Sequence, residues 1–277
     1  MLFLNRQQVE SLIDPDQLID ALAPAMVDLS AGTVSMPNRI AARVSDCDGL
    51  LGVMPAYVAS SSTLATKLVA VFPQNAAKGI HTHQALITLF DSNTGTPLAV
   101  MDGTSITAAR TATGSALATR LLSRPDAECL LIVGTGVQAR SHARFIPRVR
   151  DVKEVRVVGR NEQKAKQLTE EIAADLGVPT TTGASFHDAA AGAHIICATT
   201  HSSEPVIFGK SLEPGAHVNA VGLNPKGGEV DAETVAKSLI VVESRQAALA
   251  SSGLGGATEL IQAIADGRIT EADLTEV

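Results

Sequence analysis

Two glycines and an alanine in the second half of the chain have the types and spacing of a nucleotide-binding turn. Gly134, Gly136 and Ala139 directly follow the apolar run of residues 129–133. Gly134 permits a tight turn, Gly136 lets the backbone approach a pyrophosphate, and Ala139 lets the next helix pack close to the strand. Free N–H groups at the start of that helix would bind the phosphates. A dinucleotide site is therefore favoured over a glycine turn in an α/β protein without a nucleotide. The predicted phosphate-binding residues are Gly134, Thr135, Gly136, Val137 and Gln138.

The residues after the second apolar run, 155–158, indicate which dinucleotide is bound. A site for NAD usually has an acid there, which bonds the ribose 2′-hydroxyl. In this chain Gly159, Arg160 and Asn161 follow the run, and an acid comes only at the next position. Because a guanidinium binds a phosphate through two hydrogen bonds, Arg160 favours NADP(H), with NAD(H) as the other option. The alternative is that Arg160 is a solvated charge and Asn161 only caps a helix.

One lysine lies where a charge is costly. Lys67 is within residues 64–72, which otherwise have the pattern of an apolar strand. An unpaired buried cation is unfavourable, so a functional role for Lys67 is favoured over that of an exposed charge. A desolvated lysine can also give or take a proton near neutral pH. His81 and His83 are possible acid–base groups.

The first part of the chain has the pattern of a helix followed by an antiparallel meander. Asp14 and Pro15 begin the helix as its cap and first residue, Pro24 is expected to kink it, and Gly32 follows its end. Short apolar segments separated by Gly, Pro, Asn and Ser come next. These segments are residues 39–44, 50–58, 64–72, 84–91 and 97–101, and a helical pattern over 104–122 follows them.

The second part alternates short, nearly all-apolar strands with helices at residues 137–149 and 161–176. The strands are residues 129–133, 155–158, 193–198, 218–221 and 239–242. Strands buried on both faces and separated by helices predict a doubly wound parallel sheet, the Rossmann type. Such a sheet binds ligands at the carboxyl ends of its strands. The residues predicted to reach the cofactor from these ends are Thr199, Thr200, Val221 and Gly222.

Composition narrows the class of protein. The chain has 277 residues, of which 45% are hydrophobic and 18% charged, as expected for a globular enzyme of two domains. A net charge of -7 argues against a nucleic-acid partner or an anionic membrane. No apolar run approaches about 18 residues and the N-terminal apolar part is too short for a signal peptide, so the cytoplasm is expected. Three widely spaced cysteines predict free thiols in a reducing compartment, and no spacing suggests a metal site.

Several segments, in the same order and nearly end to end, resemble the ornithine cyclodeaminase/mu-crystallin family. They are residues 36–39, 67–75, 82–85, 101–112 and 217–222, and MDGTSITAARTA at 101–112 is the most specific. Members of this family are ornithine cyclodeaminases, alanine dehydrogenases and reductases of cyclic or linear ketimines, and mu-crystallins also bind hormone. The resemblance implies an α/β chain with an α+β substrate and dimerisation domain at residues 1–118, a Rossmann domain at 119–277, and a homodimer.

The resemblance also implies roles for three cations. Arg39, Lys67 and Arg110 match family residues that surround the substrate carboxylate, and an α-carboxylate requires charged donors of this kind. Burial and two neighbouring cations should lower the pKa of Lys67, which would then carry a proton during the reaction. Residues on the helix of Arg110 approach the cofactor in the family, so Arg110, Thr111 and Thr113 are predicted cofactor contacts.

Two features depart from the family pattern. After the segment that matches Val221 and Gly222, cyclodeaminases have an Asp that activates the substrate amine or water, and here Asn224 takes that catalytic position in a shorter loop. Asn is not a general base, which weakens the cyclodeaminase interpretation. Family members usually continue for some tens of residues beyond the position of Val277, so we expect either that the chain is a truncated form or that its substrate domain is closed differently.

The favoured function is that of an NAD(P)H-dependent oxidoreductase of small amino or imino acids. Hydride would pass between the nicotinamide and Cα of a compound such as pyrroline-2-carboxylate, piperideine-2-carboxylate or alanine. One alternative is an ornithine cyclodeaminase, and another is an NADPH-dependent ligand-binding protein of the mu-crystallin kind. Three cations favour catalysis, because a protein that only binds hydrophobic ligands does not require them.

Overall fold

The computed structural model describes residues 1–222, 224, 226–250 and 256–276. The chain divides into two compact units, Met1–Arg110 and Thr111–Val277. The division falls within the helix Gly103–Leu122, N-terminal to the domain boundary predicted at residues 118/119. Each unit is described separately below.

The first unit is built on a seven-stranded sheet. Its elements are β1 (Leu2–Leu4), α1 (Arg6–Leu12), α2 (Pro15–Ser30), β2 (Val34–Ser35), β3 (Ile40–Val44), β4 (Gly49–Val58), β5 (Thr63–Val71), β6 (His83–Phe90) and β7 (Pro97–Asp102). The strand order is β1-β7-β6-β5-β4-β2, and β3 also pairs with β4. Strand β1 is parallel to β7, and the neighbours from β4 to β7 are antiparallel, so the predicted meander is confirmed.

Helix α2 begins as the sequence predicts. The Asp14 side chain accepts hydrogen bonds from the N–H groups of Asp16 and Gln17, and Pro15 is the first helical residue. An N-cap aspartate satisfies backbone donors that have no partner within the helix. Pro24 lies inside the helix, which continues to Ser30.

The second unit contains the remaining elements and a five-stranded sheet. After the helix α3 (Gly103–Leu122) the elements are β8 (Cys129–Val133), α4 (Val137–Phe145), β9 (Glu154–Val158), α5 (Glu162–Leu176), β10 (Thr180–Thr182), α6 (Phe186–Ala190), β11 (Ile195–Ala198), β12 (His217–Ala220), α7 (Ala232–Lys237), β13 (Ile240–Val242), α8 (Arg245–Ala248), α9 (Thr258–Ala265) and β14 (Leu274–Glu276). The order is β10-β9-β8-β11-β12 and all neighbours are parallel. This is the doubly wound arrangement, with its switch point between β8 and β11.

Two local predictions in this unit were wrong, and one strand was not predicted. The segment 239–242 is not part of the main sheet, because β13 pairs with β14 in a separate two-stranded sheet. Its place as a further strand is taken by β10, whose three threonines form no apolar run. Helix α4 ends at Phe145 rather than at residue 149, and a 3₁₀ turn with Pro147 follows, since proline lacks the N–H that a helix interior needs.

The side chains at the centre of the five-stranded sheet are fully buried. Leu130, Leu131 and Ile132 on β8 have no exposed surface, and Leu168 and Ile172 of α5 are buried. Each such side chain contributes about 1.5–3 kcal/mol by its removal from water. This core holds the carboxyl ends of β8, β9, β11 and β12 in fixed register. Within the part of the chain that the structure describes, no helix has the length and apolarity to cross a membrane.

Candidate active site

Gly134 makes the tight turn at the end of β8. Its φ is +125°, a conformation that residues with a side chain rarely adopt. A Cβ at this position would lie 2.6 Å from Thr199 Oγ1 and 2.9 Å from the Thr199 carbonyl oxygen. The Gly134 N–H donates to the Val158 carbonyl at 2.7 Å. The turn is therefore packed between the ends of β9 and β11, where only glycine fits.

The N-terminus of α4 is open to a ligand. Gly136 is the N-cap residue and makes no side-chain capping bond, and an added Cβ would meet nothing within 4 Å. Val137 in the first turn is 56% exposed, whereas Ala139 is fully buried against the sheet. Gln138 Oε1 is buried and has no hydrogen-bond partner among the described residues. Uncapped N–H groups beside a glycine form a site that fits a pyrophosphate.

Arg160 and Asn161 follow β9 and differ in their roles. Arg160 is exposed, and no ion pair of its side chain is found in the described part of the chain. The Asn161 side chain accepts from the Lys164 N–H at 2.9 Å and caps α5. Gly159 packs against the dinucleotide turn, since a Cβ there would lie 2.5 Å from Thr135 Cγ2. Arg160 is thus the side chain of this group that is available for a phosphate.

A buried carboxyl group that the sequence analysis did not assign connects the ends of β11 and β12. Glu229 is 1% exposed. Its Oε1 accepts from the Thr200 N–H at 2.6 Å and from Thr200 Oγ1 at 2.5 Å, and its Oε2 accepts from the Gly222 N–H at 2.5 Å. The adjacent Thr199 is buried, and its hydroxyl donates to the Val133 carbonyl at 2.9 Å. The Val221 N–H donates to the Ala198 carbonyl at 3.1 Å, so the hydrogen bonding between β11 and β12 continues one residue past the end of β12.

Asn224 uses both ends of its amide to shape its loop. Its Nδ2 donates to the His201 carbonyl at 3.0 Å, and its Oδ1 accepts from the Lys226 N–H at 2.9 Å. The Asn224 carbonyl accepts from the Thr258 hydroxyl at 3.0 Å. A direct role for Asn224 in the reaction stays a prediction.

In the first unit Lys67 lies in an electrostatically unfavourable place. It is on β5 in the middle of the sheet, opposite Met54 on β4 and Ile87 on β6. Burial, the charge of Arg110 and the charge of Arg39 together lower the pKa of Lys67 from 10.5 to about 8. The predicted lowering is confirmed, and its causes place both arginines near the amine although they come from a loop and a helix.

Two threonines and two histidines complete the set of residues that the sequence analysis considered. Thr111 is half-buried and Thr113 is fully buried, both on α3. His81 faces Arg6 at 3.4 Å between ring and guanidinium nitrogens, and His83 contacts the Thr82 hydroxyl at 3.1 Å. Both histidines have the contacts of positioning residues.

Twelve of the residues predicted to bind the cofactor lie at the carboxyl edge of the five-stranded sheet, whereas the other three, Arg110, Thr111 and Thr113, are on helix α3. The twelve are Gly134, Thr135, Gly136, Val137, Gln138, Gly159, Arg160, Asn161, Thr199, Thr200, Val221 and Gly222. The fold and this edge define a class: a chain whose first unit carries a desolvated lysine and whose second unit is of the Rossmann dinucleotide-binding type.

The chain belongs to the ornithine cyclodeaminase/mu-crystallin family, whose model matches residues 1–262. It is 40% identical to the ketimine reductase mu-crystallin of Mus musculus over 91% of this chain and 80% of that protein. The structure of Thermococcus litoralis Delta(1)-pyrroline-2-carboxylate reductase in complex with NADH and L-proline has a TM-score of 0.91 and 34% identity, and covers 99% of this chain and 84% of that one. An archaeal alanine dehydrogenase dimer with bound NAD has a TM-score of 0.89 and 31% identity, over 99% and 83% of the two chains. The predictions of family and fold class are confirmed.

Proposed function

We propose that this chain is an NAD(P)H-dependent oxidoreductase that reduces a small cyclic imino acid at Cα. The observation that carries the proposal is Lys67, whose pKa of about 8 results from burial beside Arg110 and Arg39. Such a cluster repels further cations and binds a carboxylate well. The similarity to a ketimine reductase and to a pyrroline-2-carboxylate reductase supports the same substrate class.

The three cations have two different roles in the proposed reaction, carboxylate binding and proton transfer. Arg39 and Arg110 hold the substrate carboxylate, because a guanidinium stays charged at any working pH. Lys67 Nζ holds a proton that it gives to the imine nitrogen as the amine forms. A pKa near neutrality makes a group a better acid than an ordinary lysine while it is still mostly protonated. The nicotinamide, when bound, supplies the hydride.

We propose that the cofactor is NADPH rather than NADH. The support is the exposed Arg160 after β9, where a carboxylate would have favoured the ribose 2′-hydroxyl. The two similar solved structures contain NADH and NAD, so the preference depends on this chain's own residue. Arg160→Ala should lower NADPH affinity and leave NADH affinity nearly unchanged, as measured by fluorescence titration. Equal affinities of the unaltered protein for both cofactors would contradict the preference.

We also propose a homodimer formed through the first unit. Its sheet leaves large apolar side chains in solvent, including Ile40 at 66%, Leu86 at 49% and Leu51 at 44% exposure. An apolar surface of this kind marks an interface, and the similar alanine dehydrogenase is a dimer. Light scattering at micromolar concentration should give the mass of two chains, and a monomer would contradict this proposal.

The decisive experiment replaces Lys67. Lys67→Met should abolish reduction of pyrroline-2-carboxylate and piperideine-2-carboxylate, followed by NADPH absorbance, while NADPH binding is retained. Lys67→Arg should not restore turnover, because a guanidinium does not release a proton at working pH. Near-normal turnover in Lys67→Met would show that Lys67 is only a structural charge.

Ornithine cyclisation is less well supported by this chain. Asn224 replaces the family Asp, and its amide is already hydrogen-bonded to the backbone of His201 and Lys226. Ammonia release from L-ornithine, tested in the same preparation, should therefore be absent.

A further inference from the structure

We propose that Glu229 is a positioning residue for the nicotinamide half of the dinucleotide. The proposal rests on the function proposed above and assigns a role to a side chain that would not itself touch the reacting atoms. Glu229 would act through the backbone of Thr200 and Gly222, which it holds at the carboxyl ends of β11 and β12.

The geometry of Glu229 is that of a clamp between two strand ends. Strands β11 and β12 are paired through Ala198 and Ala220, and two residues past each strand end a backbone N–H turns toward the Glu229 carboxyl group. One oxygen takes the two Thr200 donors and the other takes the Gly222 N–H. The same group blocks any side chain at position 222, since a Cβ there would lie 2.3 Å from Glu229 Cδ.

The position of the clamp relative to the dinucleotide follows from the order of the strands. The 2′-position of the adenosine ribose lies at the end of the second strand of a Rossmann unit, here β9 with Arg160. The pyrophosphate lies at the turn after the first strand, here β8 with Gly134. A dinucleotide that crosses the switch point therefore places its nicotinamide half over β11 and β12, where Thr200 and Gly222 are held.

The chemistry of the contacts distinguishes glutamate from its amide. The three groups that are hydrogen-bonded to the Glu229 carboxyl group all donate, and they use both of its oxygens. In Glu229→Gln one oxygen becomes an NH₂ group, which would face a donor and accept nothing from it. The shape is kept, but either the Thr200 or the Gly222 N–H loses its partner, so one strand end is released.

A matched control is available at the amino ends of the same two strands, β11 and β12. Glu213, which precedes β12, accepts from the N–H of Gly192, which precedes β11, at 2.8 Å. Glu213→Gln thus alters a glutamate-to-backbone contact between the same strands at their amino ends. It should leave binding of every ligand unchanged, because ligands of this fold bind at the carboxyl ends.

The experiment compares the whole cofactor with a fragment that lacks nicotinamide. Affinities for NADPH and for 2′-phospho-ADP-ribose are measured by calorimetry, with NADH and ADP-ribose as a second pair. Glu229→Gln should weaken NADPH binding by at least about tenfold, while the fragment changes by less than about twofold. The kcat for imine reduction at saturating NADPH should also fall, since a displaced nicotinamide is no longer aligned with Cα.

Each result has a defined meaning. Equal weakening of NADPH and of the fragment, or no weakening of either, would overturn the role of Glu229. A similar effect of Glu213→Gln would do the same. If the unaltered protein binds neither cofactor, the proposed function itself fails, and with it this inference. If Glu229→Gln does not fold, Glu229→Asp decides, because it keeps the carboxylate but shortens its reach, and it should show the same selective loss in smaller measure.

Discussion

Replacing Arg110 with Gln should raise the pKa of Lys67 by a limited amount. Burial is the largest cause of the lowering from 10.5 to about 8, Arg110 is the second and Arg39 the third. The second of three causes accounts for at most half of a lowering of about 2.5, so Arg110→Gln should raise the pKa of Lys67 by no more than about 1.2. Arg39→Gln should raise it less. In both variants the pKa should stay below 10.5, because burial remains.

The assay is the pH dependence of kcat/KM for imine reduction with NADPH. In the proposed mechanism the protonated Lys67 is the acid, so the rate should fall as pH rises through about 8 in the unaltered protein. At pH 7 about one lysine in ten would be neutral, roughly 300 times the fraction expected at the ordinary pKa. In Arg110→Gln the falling limb should move to higher pH, although carboxylate binding is also weaker. A ¹³C NMR titration of Lys67 Cε, assigned by its loss in Lys67→Met, gives the pKa without substrate.

Arg43→Gln is the matched control, since Arg43 is exposed on β3 of the same unit and is not among the causes of the shift. It should leave the pKa of Lys67 in place. Titration of Lys67 near 10.5 in the unaltered protein, or equal shifts in Arg43→Gln and Arg110→Gln, would refute the electrostatic reasoning.

Two further predictions concern stability. Gly134→Ala should cost about 1–3 kcal/mol in urea unfolding and weaken cofactor binding, because of its positive φ and the close approach of Thr199. Gly192→Ala, also at positive φ but in open space, should cost only about 1–2 kcal/mol, and an equal loss of cofactor affinity there would contradict the packing argument. Burial lowers the pKa of His142 from 6.5 to about 4, so its neutral form stabilises the fold above pH 6.5. That contribution, up to about 3 kcal/mol, should be lost as pH falls from 6.5 through 4. His142→Gln should lose less stability between pH 7 and pH 4, and equal losses would count against this assignment.

The sequence was sufficient for the centre of the second unit. The dinucleotide turn and strands β8, β9, β11 and β12 combine apolar runs with glycine at the positions where backbone must approach backbone. Strand β10 was missed because three threonines at a sheet edge give no apolar run. Segment β13 has an apolar run but pairs with β14 near the C-terminus, and a run of apolar residues does not specify its pairing partner.

Lys67 and Glu229 also differ in how far the sequence alone identifies them. Lys67 was identifiable because a charge within an apolar strand is unusual, and the resemblance supplied the two arginines. Glu229 gave no such signal, because its partners Thr200 and Gly222 lie 29 and 7 residues away in sequence. Only the meeting of β11 and β12 in space shows that one carboxyl group serves both strand ends.

The charges of Glu229 and Lys67 have different surroundings, and the roles proposed for the two residues follow from that difference. Glu229 is buried, and three hydrogen-bond donors are bound to its two oxygens. The half-buried Lys67 has the like charges of Arg110 and Arg39 near it, and these favour its neutral form. A bound carboxylate would relieve that repulsion and favour the protonated amine, so the substrate itself would help to charge the acid that completes its reduction. A cluster arranged for stability alone would instead place an acid beside the lysine.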